Sequence, residues 1–174
     1  SIAQGLNALA NGTNAIATGT NANATGNNNV AIGSNANATG NNTVAIGMGA
    51  RVSMANGTAV GYGTHARNNA AAFGLNANAA AEASVAVGHD SLANSMNSVA
   101  LGYQAKVGTT ANNAMAFGSQ ANVGAAASSS MALGHQTNVA AINAIALGYQ
   151  AKVDANAKGS IALGANSLIS ADAA

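Results

Sequence analysis

Large and small apolar side chains alternate along this chain in short bursts, and each burst stops at a glycine. Ile16-Ala17-Thr18-Gly19, Val30-Ala31-Ile32-Gly33, Val99-Ala100-Leu101-Gly102 and Met131-Ala132-Leu133-Gly134 are examples. The residue three before the glycine is mostly aliphatic, as at Ile2, Val44, Val85 and Ile161, and the residue just before it is apolar in all but the first two bursts, which have Gln4 and Thr18. An alanine always stands between them. A period of two predicts a short strand with the two larger residues on one face and the alanine on the other. Glycine ends the strand where the backbone must turn sharply.

A second burst follows each glycine. Three residues on comes a small side chain, as at Ala36, Thr64, Ser91 and Ala105, and five residues on comes Ala or a β-branched residue, as at Val52, Val107, Val123, Val139, Val153 and Ile169. The position between them is polar or long, including Asn37, Arg51, His65, Lys106, Asn122, Asn138 and Lys152. This predicts a second strand whose polar residue faces out. Asn- and Gly-rich stretches such as Asn27-Asn28-Asn29 supply the return turns.

The glycines at 5, 19, 33, 47, 61, 74, 88, 102, 118, 134, 148 and 164 recur mostly at an interval of 14, once at 13 and three times at 16. The whole chain therefore reads as one all-β solenoid of about 12 coils, with repeats of roughly 14–16 residues. The longer intervals place their two extra residues in loops, for example around Ala125, Ala126 and Ala127. No segment carries the three- and four-residue apolar spacing of a helix. Proline, which would remove ladder donors, is absent.

The larger aliphatics, Leu133 among them, are expected to fill the coil interior. That leaves the alanines facing outward as a column, which includes Ala31, Ala45, Ala59, Ala72, Ala86, Ala100, Ala116, Ala132, Ala146 and Ala162. A solvated face would carry Lys, Glu, Thr or Asn, so this column is expected to lie against another chain. The alternative is that alanine merely tolerates crowding within the chain's own turn.

Only 5% of the residues are charged, the formal net charge is +1, and Lys and Arg together number five. That is too little basic surface for nucleic-acid binding. The apolar stretches are a few residues long, far short of the roughly 20 that a membrane span needs, so no membrane contact is expected of this segment. The chain opens directly in a repeat with no leader, and it reads as an excised piece. Cysteine is absent, which removes disulfide and thiolate chemistry.

The histidines, His65, His89 and His135, fall in separate coils, and the acids Glu82, Asp90, Asp154 and Asp172 are scattered. No catalytic, cofactor-binding or metal residues are assigned, and no cofactor or enzymatic activity is expected. Tyr62, His89, Tyr103, His135 and Tyr149 each follow a repeat glycine directly and so share one turn edge. They either cover the turn or make contact with a ligand. Arg51, His65, Arg67, Lys106 and Lys152 form a sparse basic line on the other strand, read as solvated.

The run Asn97-Ser98-Val99-Ala100-Leu101-Gly102-Tyr103-Gln104-Ala105 resembles the NSVAIGxxS-type repeat of YadA-like heads in trimeric autotransporter adhesins. It returns at residues 28–36, 42–50, 113–121 and 143–151, and more loosely throughout 1–174. The resemblance implies a left-handed parallel β-roll, assembled as a side-by-side homotrimer. It also implies display on the surface of a Gram-negative bacterium, a stalk and an outer-membrane anchor outside this segment, and multivalent attachment to host matrix proteins or cell-surface receptors. In a trimer, one histidine meeting its two copies around the axis would be the place for an ion. The last motif position is usually Ala here, with Thr64, Ser91, Thr137 and Ser167 nearer the pattern, so collagen binding is not carried over. Competing readings are a structural spacer, an ice-binding solenoid and a hexapeptide acyltransferase. The second has only Thr18 and Thr20 as a Thr-x-Thr pair, and the third is built from six-residue steps.

Overall fold

The computed structural model describes residues 1–170, so Asp172 lies outside the described residues. The chain is a parallel β-solenoid of twelve turns, with no helix among the described residues. It divides into two compact units, Ser1–Ala83 and Ser84–Ala174. Each unit holds six coils, and each coil gives one strand to a first sheet and one to a second.

In the first unit the first sheet runs from Ile2–Gln4 to Ala71–Phe73, and the second from Leu9–Asn11 to Asn78–Ala79. In the second unit the corresponding strands run from Val85–Val87 to Ile161–Leu163 and from Leu92–Ala93 to Leu168–Ile169. Pairing is parallel and in register with the repeat. Ala100 lies beside Ala116, Ala116 beside Ala132 and Ala132 beside Ala146, while Val107 lies beside Val123 and Val123 beside Val139.

The turn after each first-sheet strand depends on two backbone requirements. Gly102 has φ 133°, and a Cβ there would stand 2.5 Å from the carbonyl oxygen of Gly118 in the next coil. Both the conformation and the close stacking of turns exclude a side chain. Two residues further on the chain enters the left-handed region, at Asn21 (φ 56°), Asn35 (φ 58°) and Gln120 (φ 57°). Asn tolerates that conformation better than most residues. The next amide closes the turn, as in Ala105 N–H to the Gly102 carbonyl at 3.2 Å. Where that residue is Thr or Ser, its hydroxyl donates to the same carbonyl, at 3.0 Å for Thr64 to Gly61 and 2.9 Å for Ser91 to Gly88. Ala, Ser and Thr therefore interchange freely at this position.

In the 16-residue coils the extra residues add a corner. Thr110 (φ 59°) and Asn113 (φ 59°) form two successive left-handed turns, as do Ala126 (φ 63°) and Ser129 (φ 55°). The loop expected around Ala125, Ala126 and Ala127 is this corner.

The interior corrects the reading of the first strand. Ala31, Ala45, Ala59, Ala72, Ala86, Ala100, Ala116, Ala132 and Ala146 are fully buried inside a single chain, and Ala162 is 2% exposed. The column faces the second sheet of its own coil and offers no surface to another chain. The larger residues on either side of it point outward. Leu133, expected in the core, is only half-buried, and Phe117 is 48% exposed.

The physical reason is the thinness of the coil. Among the described residues the buried apolar side chains are all Ala or Val, and Val52, Val107, Val123, Val139 and Val153 are the largest that are fully buried. Two strands linked by so short a turn lie too close together for Leu, Ile, Met or Phe between them, because interiors pack to crystal-like density. The second strand matches its reading: residues three and five after the glycine point in, and the polar residue between them points out.

Candidate functional site

Three outward surfaces follow from this arrangement. The first is the wall of the first sheet. In the second unit its outward positions are all apolar, from Val85 and Val87 through Met115, Phe117, Met131 and Leu133 to Ile161 and Leu163. Met115, Phe117, Met131 and Leu133 line an open apolar hollow. In the first unit the row includes Val30, Ile32, Val44, Ile46 and Val60, with Phe73 40% exposed. A wall of this composition facing water marks an interaction surface. Its apolar residues are visible in the sequence, but a core reading absorbs them.

The second surface is the outer face of the second sheet. Arg51, Lys106 and Lys152 are exposed there, as the solvated reading requires. Lys152 pairs with Asp154 at 2.8 Å. Such a solvent-facing contact contributes little to stability. His65 is half-buried, lies beside Arg51 in the sheet, and has its Nε2 3.2 Å from the Ser53 hydroxyl. Burial first, then the Arg51 and Arg67 guanidiniums, hold its pKa below the ordinary 6.5. Each of these disfavours the charged ring.

The third surface is the turn edge. Tyr62, His89, Tyr103, His135 and Tyr149 are all exposed along it. In the second unit four of them pair. The His89 and Tyr103 rings are 5.3 Å apart and tilted by 59°, and those of His135 and Tyr149 are 5.7 Å apart and nearly parallel at 12°. Tyr62 in the first unit has no ring contact among the described residues; the same turn position holds Met48 and Leu75 in the coils beside it.

Next to these rings runs a ladder of amides that the sequence reading missed. Gln120 Nε2 donates to Gln104 Oε1 at 3.4 Å, Gln136 to Gln120 at 3.0 Å and Gln150 to Gln136 at 2.9 Å. The signal was there: glutamine recurs at the same offset from glycines 102, 118, 134 and 148. An asparagine ladder fills the opposite turn of the first unit, from Asn14 through Asn28, Asn42 and Asn56 to Asn69.

The three histidines are not brought together. Among the described residues no group of three or more His, Cys, Asp or Glu side chains gathers to hold a metal ion. His89 instead contacts its own neighbour, Asp90, at 3.2 Å.

Comparison with protein families matches the chain to the family described as YadA head domain repeat (2 copies), over residues 1–22, 24–50, 68–91, 79–105, 125–151 and 154–167. The chain belongs to the YadA head family. No curated protein matches it. The matched segments fall in both units and include both kinds of strand. In this YadA head, the Val-Ala-Leu core of the motif at Val99, Ala100 and Leu101 divides its roles, with alanine packing inside the coil and the flanking residues forming the outer wall. The family is one of adhesin heads and not of enzymes.

Proposed function

We propose that this chain is the adhesive head of a bacterial surface fibre, a left-handed roll that works as a side-by-side homotrimer. Its partners in the assembly meet through the outward aliphatic wall of the first sheet. Attachment to host matrix proteins or cell-surface receptors then falls to surfaces that stay open, with Tyr62, His89, Tyr103, His135 and Tyr149 as contact points. Family membership supports the adhesin reading and display on a Gram-negative cell. The observation that carries the assembly is the wall itself: twelve apolar outward residues in the second unit alone, on a chain whose own interior has no room for them.

Covering a half-exposed Val, Leu, Ile, Met or Phe contributes on the order of 1 kcal/mol. Twelve such residues in the second unit give each chain a strong reason to associate, and three chains can shield one another's walls around a common axis. Repetition then makes the assembly multivalent, so weak contacts add up along the coils.

Immobilised matrix proteins, probed with the assembled chain by surface plasmon resonance, test the reading. Binding is expected, and excision of one whole coil, residues 102–117, is expected to weaken it gradually because the repeat register is kept. No binding to any matrix protein or host cell would make the chain a spacer instead.

A further inference from the structure

The ring row on the turn edge of the second unit is interrupted once. Going coil by coil, the residue after the repeat glycine is His89, Tyr103, Ser119, His135 and Tyr149. His89 and Tyr103 pair on one side of the break, and His135 and Tyr149 pair on the other. Ser119 holds the position between them and is half-buried, and its hydroxyl makes no hydrogen bond among the described residues. Along one flank pass the amides of Gln104, Gln120 and Gln136.

Adjacent coils are about 4.8 Å apart, so Tyr103 and His135, two coils apart, are separated along the stack by about 9.6 Å. A flat ring touches aromatic walls on both sides when those walls stand about 7 to 8 Å apart, twice the usual carbon contact distance. The break exceeds that span by about 2 Å, which leaves a flat ring short of one wall and gives room for a thicker, puckered one. Each glutamine amide offers two N–H donors and two acceptor lone pairs. The ladder uses one of each at Gln120 and Gln136. The remainder can serve a guest's hydroxyls. No Lys or Arg occurs at either turn position from His89 to Gln150, so no permanent positive charge there selects for an anion.

We infer that the break at Ser119 is a binding site for one pyranose ring of a neutral saccharide, held between Tyr103 and His135 and hydrogen-bonded to Ser119 and the glutamine ladder. The inference rests on the adhesin reading and gives it a ligand class. Apolar C–H faces of the sugar lie against the rings, and its equatorial hydroxyls meet the amides. A planar base or an anionic sugar is disfavoured by the width in the first case and by the lack of a permanent positive charge in the second.

Tyrosine already occupies the equivalent turn position at Tyr62, Tyr103 and Tyr149, so Ser119→Tyr fits the fold while filling the gap. Saturation-transfer NMR on the whole chain, in whatever assembly it forms, would be run with the methyl glycosides of glucose, galactose, mannose and N-acetylglucosamine, and with glucuronate as the anionic comparison. At least one neutral glycoside is expected to receive transfer. Ser119→Tyr should abolish it, Ser119→Ala should weaken it by a few-fold through the loss of one hydrogen bond, and Tyr103→Ala should weaken it about tenfold. Transfer to none of the neutral glycosides, transfer that survives Ser119→Tyr, or preference for glucuronate would overturn the inference. Adhesion to immobilised matrix proteins, measured on the same samples, reports on the adhesin reading separately: it can persist when the saccharide site fails, and fail when the site is real.

Discussion

The two sheets of each unit have similar inward faces and opposite outward faces. Inward, both carry small residues: Ala from the first sheet, Ala or Val from the second. Outward, the second sheet shows Asn37, Arg51, Lys106 and Asn122, whereas the first shows Val99, Leu101, Phe117 and Leu133. In a globular domain the larger apolar residue of an alternating strand marks the core side. Here the space between sheets sets a ceiling at valine, so the larger residues are placed outside, and only a further surface can cover them. Size fixes which residues are inside, and polarity then distinguishes a face suited to water from a face suited to an interaction.

The contrast breaks most sharply at two neighbouring residues. Ala132 stands in a column with Ala116 on one side and Ala146 on the other. Ala132→Leu adds bulk to that column and is expected to cost about 3 kcal/mol or to prevent folding. Leu133→Ala, one residue on, should leave the coil's own packing intact. Chemical denaturation of both variants checks this, and a tolerant Ala132 beside an intolerant Leu133 would restore the conventional inside and outside.

Next in size is the turn that holds the sheets at their separation. Gly118 has φ 135°, and a Cβ there would lie 2.4 Å from the Gly134 carbonyl oxygen. Gly118→Ala is expected to cost on the order of 2 kcal/mol. Gly124→Ala is the control, since its φ is ordinary and the nearest atom would be 3.4 Å away. Similar melting points for the two variants would remove the turn from the account.

On the second sheet, Val123 sits in the buried row between Val107 and Val139. Val123→Ala deletes two methyl groups from that row and should lower stability by about 1.5 kcal/mol, at roughly 0.8 kcal/mol for each buried group. A neutral result would mean that this row is not the filled part of the interior.

Much of this was legible in the sequence. Glycine spacing gave the coil count, period-two alternation gave both strands, and the polar middle residue oriented the second one correctly. The first strand was inverted because alternation says which residues share a face and is silent on which face is inside. The deciding quantity, the separation of the two sheets, belongs to the turn, whose short span from Gly102 to Ala105 sets how thin the coil is. On the turn edge, His89, Tyr103, His135 and Tyr149 were legible from their shared offset. Their pairing across neighbouring coils, and the break at Ser119, required the stacking in three dimensions.

The smallest expected effect concerns His65, on the outward face of the second sheet. Its pKa is lowered in the folded chain. As pH falls below about 6.5, the unfolded chain therefore takes up a proton before the folded one does. This contribution to stability is thus fully present above that pH and declines as pH falls from there to the folded value, below which both states carry the proton. The groups that face the ring are Arg51, Arg67 and the Ser53 hydroxyl. His65→Asn, which copies the residue at Asn78 in the next coil, should flatten this part of the stability profile in melts taken between about pH 7 and pH 5. An unchanged slope would place the titration elsewhere.

The central claim is that the outward aliphatic wall of the first sheet joins the chains while the alanine column packs within each of them. Sedimentation equilibrium of the unmodified chain beside the Phe117→Lys/Leu133→Lys variant, with circular dichroism on both, tests it most directly. The expected result is three chain masses for the unmodified protein and one for the variant, each with a β-sheet spectrum. A folded unmodified chain that sediments at a single chain mass, or a charged-wall variant that stays trimeric, would contradict the account.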